Sequence, residues 1–208
     1  MLKINNLSHS YGQEDLIQYP DWVVNNGSHG IILGNSGCGK TTLLHLIGGL
    51  MLPKQGHIEV AGEVLSQKST TALDRFRGEH IGIVFQKPHL VQALSVQENL
   101  LLAQYLGKKK QDLSLVKQVL EGLGIEKLAK RKIYQISQGQ AQRVSIARAV
   151  INSPKLLLAD EPTASLDDEN CKKVIDLLKS QATQSGATLI VATHDHRVKS
   201  EFKNQLSL

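Results

Sequence analysis

The sequence predicts an α/β domain with a mostly parallel sheet core, antiparallel strands on the N-terminal side and an inserted helical subdomain. Three observations carry this. First, Gly34-Asn35-Ser36-Gly37-Cys38-Gly39-Lys40-Thr41-Thr42 fits G-x-x-x-x-G-K-[ST], and it lies between a strand-like run at 30–33 and a helix-like run at 42–47. Second, short apolar runs at 81–85, 156–159 and 188–193 read as strands covered on both faces, and helix-period segments alternate with them. Third, no strand-like alternation interrupts residues 88–135.

Taken in order, residues 1–7 alternate loosely and read as an edge strand, and 8–12 as a turn. Residues 22–24 suggest another strand, and Asn25-Asn26-Gly27 a hairpin-like turn. The helix after the glycine loop ends around Gly48-Gly49, with Pro53 beyond it. Residues 56–62 read as a short strand bounded by turns. The run at 81–85 carries Gln86 at its end. Helices are expected at 96–106 and 113–123, followed by a short basic segment. Residues 87–152 are therefore read as a helical subdomain within one domain, 1–208. Ser137-Gln138-Gly139-Gln140 opens a helix over 141–151, with Val144, Ala147 and Ile151 on one face. Pro154 closes that connection. An amphipathic helix over 168–180 has Val174, Leu177 and Leu178 apolar, and Gly186 makes the turn into strand 188–193, with His194 at its end. A short helix and a final strand complete the chain.

Formal charge is +5, from 24 basic and 19 acidic side chains in 208 residues. That suits phosphate ligands but is too small to argue for nucleic acid or an anionic membrane. Lys108-Lys109-Lys110 reads as a solvated helix end. Two cysteines, Cys38 and Cys171, make no disulfide framework, and a nucleotide site implies a reducing compartment. No secretory pattern and no apolar run near the roughly 20 residues of a membrane span are present, so membrane association is expected through a partner.

The chemistry begins at the glycine loop. Glycines let the backbone wrap a phosphate and turn N–H groups inward, and the helix that follows adds its unpaired donors. Lys40 brings a full charge to the outer phosphates, and the Thr41 hydroxyl can hold Mg²⁺. In parallel sheets ligands bind at the carboxyl ends of strands. Gln86, Asp160-Glu161 and His194 each follow an apolar strand, so all three are expected on the same edge as the loop. Asp160 fits a carboxylate that orients Mg²⁺. Glu161 is placed to accept a proton from, or orient, an attacking water. His194 is read as reaching a γ-phosphate or holding the Glu161 loop.

Ile136-Ser137-Gln138-Gly139-Gln140, followed by residues 141–149, resembles LSGGQ-x-Q-R-x-x-I-A-R-A, the signature of the nucleotide-binding subunits of ATP-binding cassette (ABC) transporters. The resemblance implies a P-loop NTPase of ABC type. It makes Gly34, Asn35, Ser36, Gly37, Cys38, Gly39, Lys40, Thr41 and Thr42 the Walker A loop, and Tyr11 the aromatic that stacks on adenine. Gln86 becomes the Q-loop glutamine, with a catalytic and a metal role. Residues 156–161 become Walker B, with Asp160 at the metal and Glu161 catalytic. Ser165-Leu166-Asp167 becomes the D-loop, and His194 the switch histidine. It further implies ATP and Mg²⁺ as ligands and a head-to-tail homodimer formed on ATP binding. There Ser137, Gly139, Gln140 and Asp167 serve the partner's nucleotide. Integral membrane permease subunits and a peripheral place on the cytoplasmic face of the inner or plasma membrane follow, with no nucleic acid partner.

Within the family, residues 158–163 and a chain read as lacking a regulatory tail resemble the lipoprotein-release and macrolide-export ATPases. Residues 94–99 resemble the stretch that suits a permease coupling helix. Two departures stand out. Gln138 replaces the usual first glycine of the signature, and Ala164-Ser165-Leu166-Asp167 replaces Gly-Asn-Leu-Asp. The alternative is a soluble ABC ATPase acting on DNA or ribosomes. Those typically carry coiled-coil insertions, zinc-binding cysteines or two cassettes, none of which this sequence shows.

Overall fold

The computed structural model describes residues 1–12, 15–164 and 166–208. In chain order the strands and helices are β1 (Leu2–His9), β2 (Ile17–Gln18), β3 (Trp22–Val24), β4 (Gly30–Leu33), α1 (Lys40–Ile47), β5 (Gln55–Val60), β6 (Glu63–Val64) and α2 (Thr70–His80). They continue with β7 (Ile81–Val84), α3 (Val96–Leu106), α4 (Leu113–Gly122), α5 (Gln138–Val150), β8 (Leu156–Asp160), α6 (Asp168–Ser185), β9 (Thr188–Thr193) and β10 (Asn204–Ser207).

Two sheets result. The core sheet is all parallel, in the order β10-β4-β9-β8-β7. The second sheet is antiparallel, in the order β2-β1-β5-β6, with β3 also on β1. The period of two along each core strand sends alternate residues to opposite faces. Leu33, Val84, Leu157, Ala159 and Val191 face a cluster built with α3, α4, α5 and α6. Ile32, Leu156, Leu158, Ile190 and Ala192 face the other way, onto Leu43, Leu44, Leu46 and Ile47 of α1. The same cluster takes in Leu2, Ile4, Ile58 and Val60, so α1 lies between the two sheets. Apolar surface on both flanks explains why all four leucine and isoleucine side chains of this short helix are buried.

The structure corrects several expectations. β1 is an interior strand, because β3 and β5 pair along its two edges. The turn at 25–27 is present, closed by the Ser28 N–H on the Asn25 carbonyl at 3.1 Å, but it carries the chain from one sheet to the other rather than making a hairpin. The real hairpin is β5–β6, whose two loop residues, Ala61 (φ 53°) and Gly62 (φ 88°), are both left-handed. Helix α2 has only Leu73 and Phe76 buried among eleven residues, too few to mark a face by pattern. Helix α5 begins at Gln138 rather than 141, and α6 runs on to Ser185, where Gly186 (φ 68°) takes the left-handed cap position.

One core contact makes stability pH-dependent. The Leu189 N–H donates to His29 Nδ1 at 3.1 Å, which requires that ring nitrogen to be unprotonated. Burial, and then the Lys179 charge, push this imidazole below its ordinary value. Lys179 is itself paired with Glu201 at 2.7 Å, and Lys203 lines the same hollow. The unfolded chain therefore takes up the proton first as pH falls, so the contribution of His29 is full above about pH 6.5 and is lost below it. Thermal melts from pH 7.5 down to 5 should show a declining midpoint that His29→Asn flattens. Parallel curves for the two proteins would remove His29 from this role.

Candidate functional site

The four features expected on one edge leave the sheet side by side. Register pairs Leu33 with Thr193, Asp160 with Ala192, and Val84 with Ala159, so the loop at 34–42, His194, Glu161 and Gln86 all emerge at the carboxyl ends of adjacent strands.

The glycine loop is shaped for an anion. Gly37 (φ 84°) and Gly39 (φ 98°) are left-handed, and a Cβ at Gly34 would lie 2.5 Å from Cys38 Sγ and 3.0 Å from the Leu208 carbonyl. The first intrahelical bond of α1 runs from the Leu43 N–H to the Gly39 carbonyl at 2.9 Å, and no side chain caps the donors before it. Those donors, with the dipole of α1, are left for an anion at the loop. Asn35, Ser36 and Gly37 are exposed at its rim.

Lys40 is buried and folded back onto this loop. Its ammonium donates to the Gly34 and Asn35 carbonyls at 2.9 Å each and lies 3.5 Å from Glu161 Oε1. Glu161 is held from the other side by the Thr193 hydroxyl at 2.9 Å, by the His194 N–H at 3.4 Å, and by His194 Nδ1, 3.0 Å from both oxygens. A carboxylate only accepts, so Nδ1 carries the ring proton and Nε2 is left free. Burial alone would raise the Glu161 pKa; the hydrogen bonds from His194 and Thr193, with the Lys40 charge, outweigh it and hold the group below the usual carboxylate range. Glu161 also has φ 46°, a left-handed conformation costing about 1–3 kcal/mol in a residue with a side chain. The Glu161 N–H, bonded to the Ala192 carbonyl at 2.8 Å, helps to keep it there.

Next to this pair, the Thr41 hydroxyl donates to Asp160 Oδ1 at 3.2 Å. Burial pushes the Asp160 carboxyl up, an unfavourable state for a charge that a cation would relieve. Among the described residues no group of three or more His, Cys, Asp or Glu side chains could hold a metal by itself. Two oxygen ligands beside an anion cradle fit Mg²⁺, which keeps waters and takes phosphate oxygens for the rest of its octahedron.

Tyr11 stands over the far end of the loop. Its hydroxyl lies 2.9 Å from Thr42 Oγ1, and its ring meets His9 edge-on at 5.1 Å. Sequence reasoning missed Tyr19, whose hydroxyl donates to the Gly39 carbonyl at 3.3 Å and backs the loop; burial pushes its phenol up to about 12. It is separated from the glycines by an unremarkable stretch, so no local pattern marks it.

Gln86 is exposed just past β7, with no side-chain hydrogen bond to another described residue. Ser137, Gly139, Gln140 and Asp167 are elsewhere. Ser137 and Gln140 close a reciprocal capping box at the start of α5, at 3.3 and 2.9 Å. Asp167 caps α6 through the Asn170 N–H at 2.8 Å. Ser137, Gly139 and Gln140 line a separate hollow of about 500 Å³ with Leu166 and Asn170, and none of the four bonds to the glycine loop among the described residues. Ser165 lies outside the described residues. Gln138 is exposed in the first helical turn and has no positive φ, so its position does not require glycine. Another hollow, bounded by Met1, Gly27, Gly62, Lys155 and Thr188, opens beside the amino ends of β8 and β9, away from all these groups.

Residues 17–164 match the ABC transporter family. The whole chain superimposes on MJ0796, named as a bacterial ABC transporter cassette in a dimeric structure. Identity is 31%, all of this chain and 94% of that one are covered, and the TM-score is 0.89. A second MJ0796 structure, a dimeric post-hydrolysis state bound to ADP and Pi, matches with the same identity and coverage at TM-score 0.88. CbiO1 from Clostridium perfringens, part of the ABC transporter complex cbiONQ, also gives 31% identity and TM-score 0.88, over 99% of this chain and 83% of that one. The loop, its lysine, the paired acids and the histidine are thus set on a fold shared at better than 30% identity over its full length, and this chain belongs to the ABC transporter family as one of its ATP-binding cassettes, an ATPase.

Proposed function

We propose that this chain is the ATP-hydrolysing subunit of a membrane ABC transporter complex. Two copies bind MgATP head to tail and pass the resulting motion to permease subunits from the cytoplasmic face of the inner or plasma membrane. The observation that carries this reading is Glu161 poised between Lys40 and His194, beside the Thr41–Asp160 pair.

Each side chain has work suited to its chemistry. Lys40 turns from the Gly34 and Asn35 carbonyls to the outer phosphates, and the free N–H groups of the loop and of α1 bind the same oxygens. Thr41 and Asp160 would hold Mg²⁺, Asp160 directly or through water, with Gln86 completing that side. When bound, the ion offsets phosphate charge and orders the reacting oxygens. Glu161 takes the proton of the attacking water or orients it. His194 fixes Glu161 through Nδ1–H and, as the imidazolium with a second proton on Nε2, donates from Nε2 to the γ-phosphate. Tyr11 supplies a face for adenine.

Because Ser137, Gly139, Gln140 and Asp167 lie apart from the chain's own loop, they are assigned to the nucleotide of a second copy. The dimeric MJ0796 structures support that arrangement, and cbiO1 supports a place in a transporter complex. Among the described residues no helix is long and apolar enough to cross a membrane, so in this reading the membrane-spanning part lies outside them. Residues 87–152 act in this reading as the helical subdomain, with 94–99 beside the permease groove. The finer assignment, to the lipoprotein-release or macrolide-export type that acts as a mechanotransmitter, rests on the sequence of residues 158–163.

The test is phosphate release by the purified chain, together with its company in detergent extracts. Release should require Mg²⁺ and stop with EDTA, and integral membrane proteins should co-purify. Co-purification with ribosomes or DNA would move the chain to the soluble branch of the family.

A further inference from the structure

Just past His194, the Asp195 carboxylate is a part-buried junction. It accepts from the Thr163 hydroxyl at 3.0 Å, from the Cys171 thiol at 3.5 Å, and from Arg197 as a fork, Nε to Oδ1 and Nη2 to Oδ2, both at 2.8 Å. The same guanidinium reaches across to the other strand exit. Nη2 donates to the Leu166 carbonyl at 3.1 Å, and Nη1 pairs with Asp168 at the start of α6. Arg197 thus ties the far end of the segment after Glu161 to the turn that bears His194, and Asp195 ties the near end through Thr163.

The network continues to Glu161 itself. The Asp195 N–H donates to Thr193 Oγ1 at 3.0 Å. Because a carboxylate only accepts, the Thr193 hydroxyl points its proton at Glu161 Oε2, 2.9 Å away. From Leu166 and Asp168 to Glu161 there is an unbroken path through Arg197, Asp195 and Thr193.

We propose that Arg197 is a positioning residue: it locks the segment bearing Leu166, Asp167 and Asp168 to the His194 turn, so that displacement of this segment is felt at Glu161. The inference rests on the reading of Glu161 given above. An exposed ion pair would contribute little by itself. What sets this one apart is the bidentate fork on a carboxylate that is only 11% exposed, with the Thr163 hydroxyl, the Cys171 thiol and the Arg197 backbone N–H also donating to it. The fork also excludes lysine as an equivalent, because a point charge cannot hold Asp195, Leu166 and Asp168 at once.

Two measurements on Arg197→Gln test it. In the nucleotide-free protein, amide hydrogen exchange should speed up together in 163–168 and in 194–197, with β4 and α1 unchanged. With MgATP, kcat should fall about 10-fold at an unchanged KM, since the phosphate ligands stay in place while Glu161 is misaligned. Arg197→Lys should show both effects in weaker form, and it serves if the glutamine variant folds poorly. Exchange that rises only in 163–168, or a kcat equal to wild type, would overturn the proposal. The exchange experiment needs no nucleotide. A wild-type chain without ATPase activity would therefore defeat the functional reading while the clamp was still being decided.

Discussion

Glu161→Gln should lower phosphate release by about 10²- to 10⁴-fold while leaving ATP binding intact. The amide keeps the size of the side chain and can still accept from Thr193 and His194, so the site stays assembled. It cannot take a proton. It also no longer pairs electrostatically with Lys40, 3.5 Å away, which frees that ammonium for phosphate. Bound ATP then persists, and light scattering should show a shift from monomer to dimer that depends on MgATP. An unaltered hydrolysis rate would remove Glu161 from the role of base. Loss of hydrolysis without a dimer would leave Gln138 or the missing permease as the cause, and Gln138→Gly separates the two.

Lys40→Ala should weaken ATP binding by roughly 100-fold, the loss of one or two charge-assisted hydrogen bonds at about 1.5–3 kcal/mol each. Few compensations exist. The Lys40 side chain is only 6% exposed, so water does not readily replace its ammonium, and among the described residues no other cation bonds to Gly34 or Asn35. The variant also leaves the Glu161 carboxylate facing the loop without its counter-charge, which adds repulsion towards any phosphate there. Calorimetric titration with ATP is the direct measurement; an affinity equal to wild type would show that the loop's N–H groups suffice.

What could be read from the sequence was local. The loop at 34–42, the strand ends at Gln86, Asp160 and His194, and the core runs of β4, β8 and β9 announce themselves in consecutive residues. Helix α2 did not, because two buried residues in eleven give no stripe, although Ser69 caps it in the expected way through the Ala72 N–H. The interior position of β1 depends on partners at 22–24 and 55–60, which no alternation within residues 1–7 can specify. The same holds in the site. Residues 160 and 161 stand next to each other in the chain, but their sorting into a Thr41-bonded acid and a Lys40-paired acid is a matter of contacts more than 100 positions apart. Arg197 carries no motif, and its bonds to Leu166 and Asp168 exist only once the ends of β8 and β9 lie side by side. Gln138, by contrast, posed a question of backbone torsion, which only coordinates answer.

β4, which delivers the glycine loop, is flanked in the core sheet by β9 and β10, and the Leu189 N–H that docks on His29 is 160 positions away in sequence. During synthesis at about 5–20 residues per second, β4 therefore waits roughly 10–30 s with both hydrogen-bonding edges bare. A bare, strongly apolar strand is a template for pairing with the wrong chain. The nascent protein thus has a window in which it is prone to aggregate, and its phosphate-binding loop gains its flanking strands only after β9 and β10 have been made. Production at lower temperature or with a holdase chaperone should accordingly raise soluble yield more than any surface substitution.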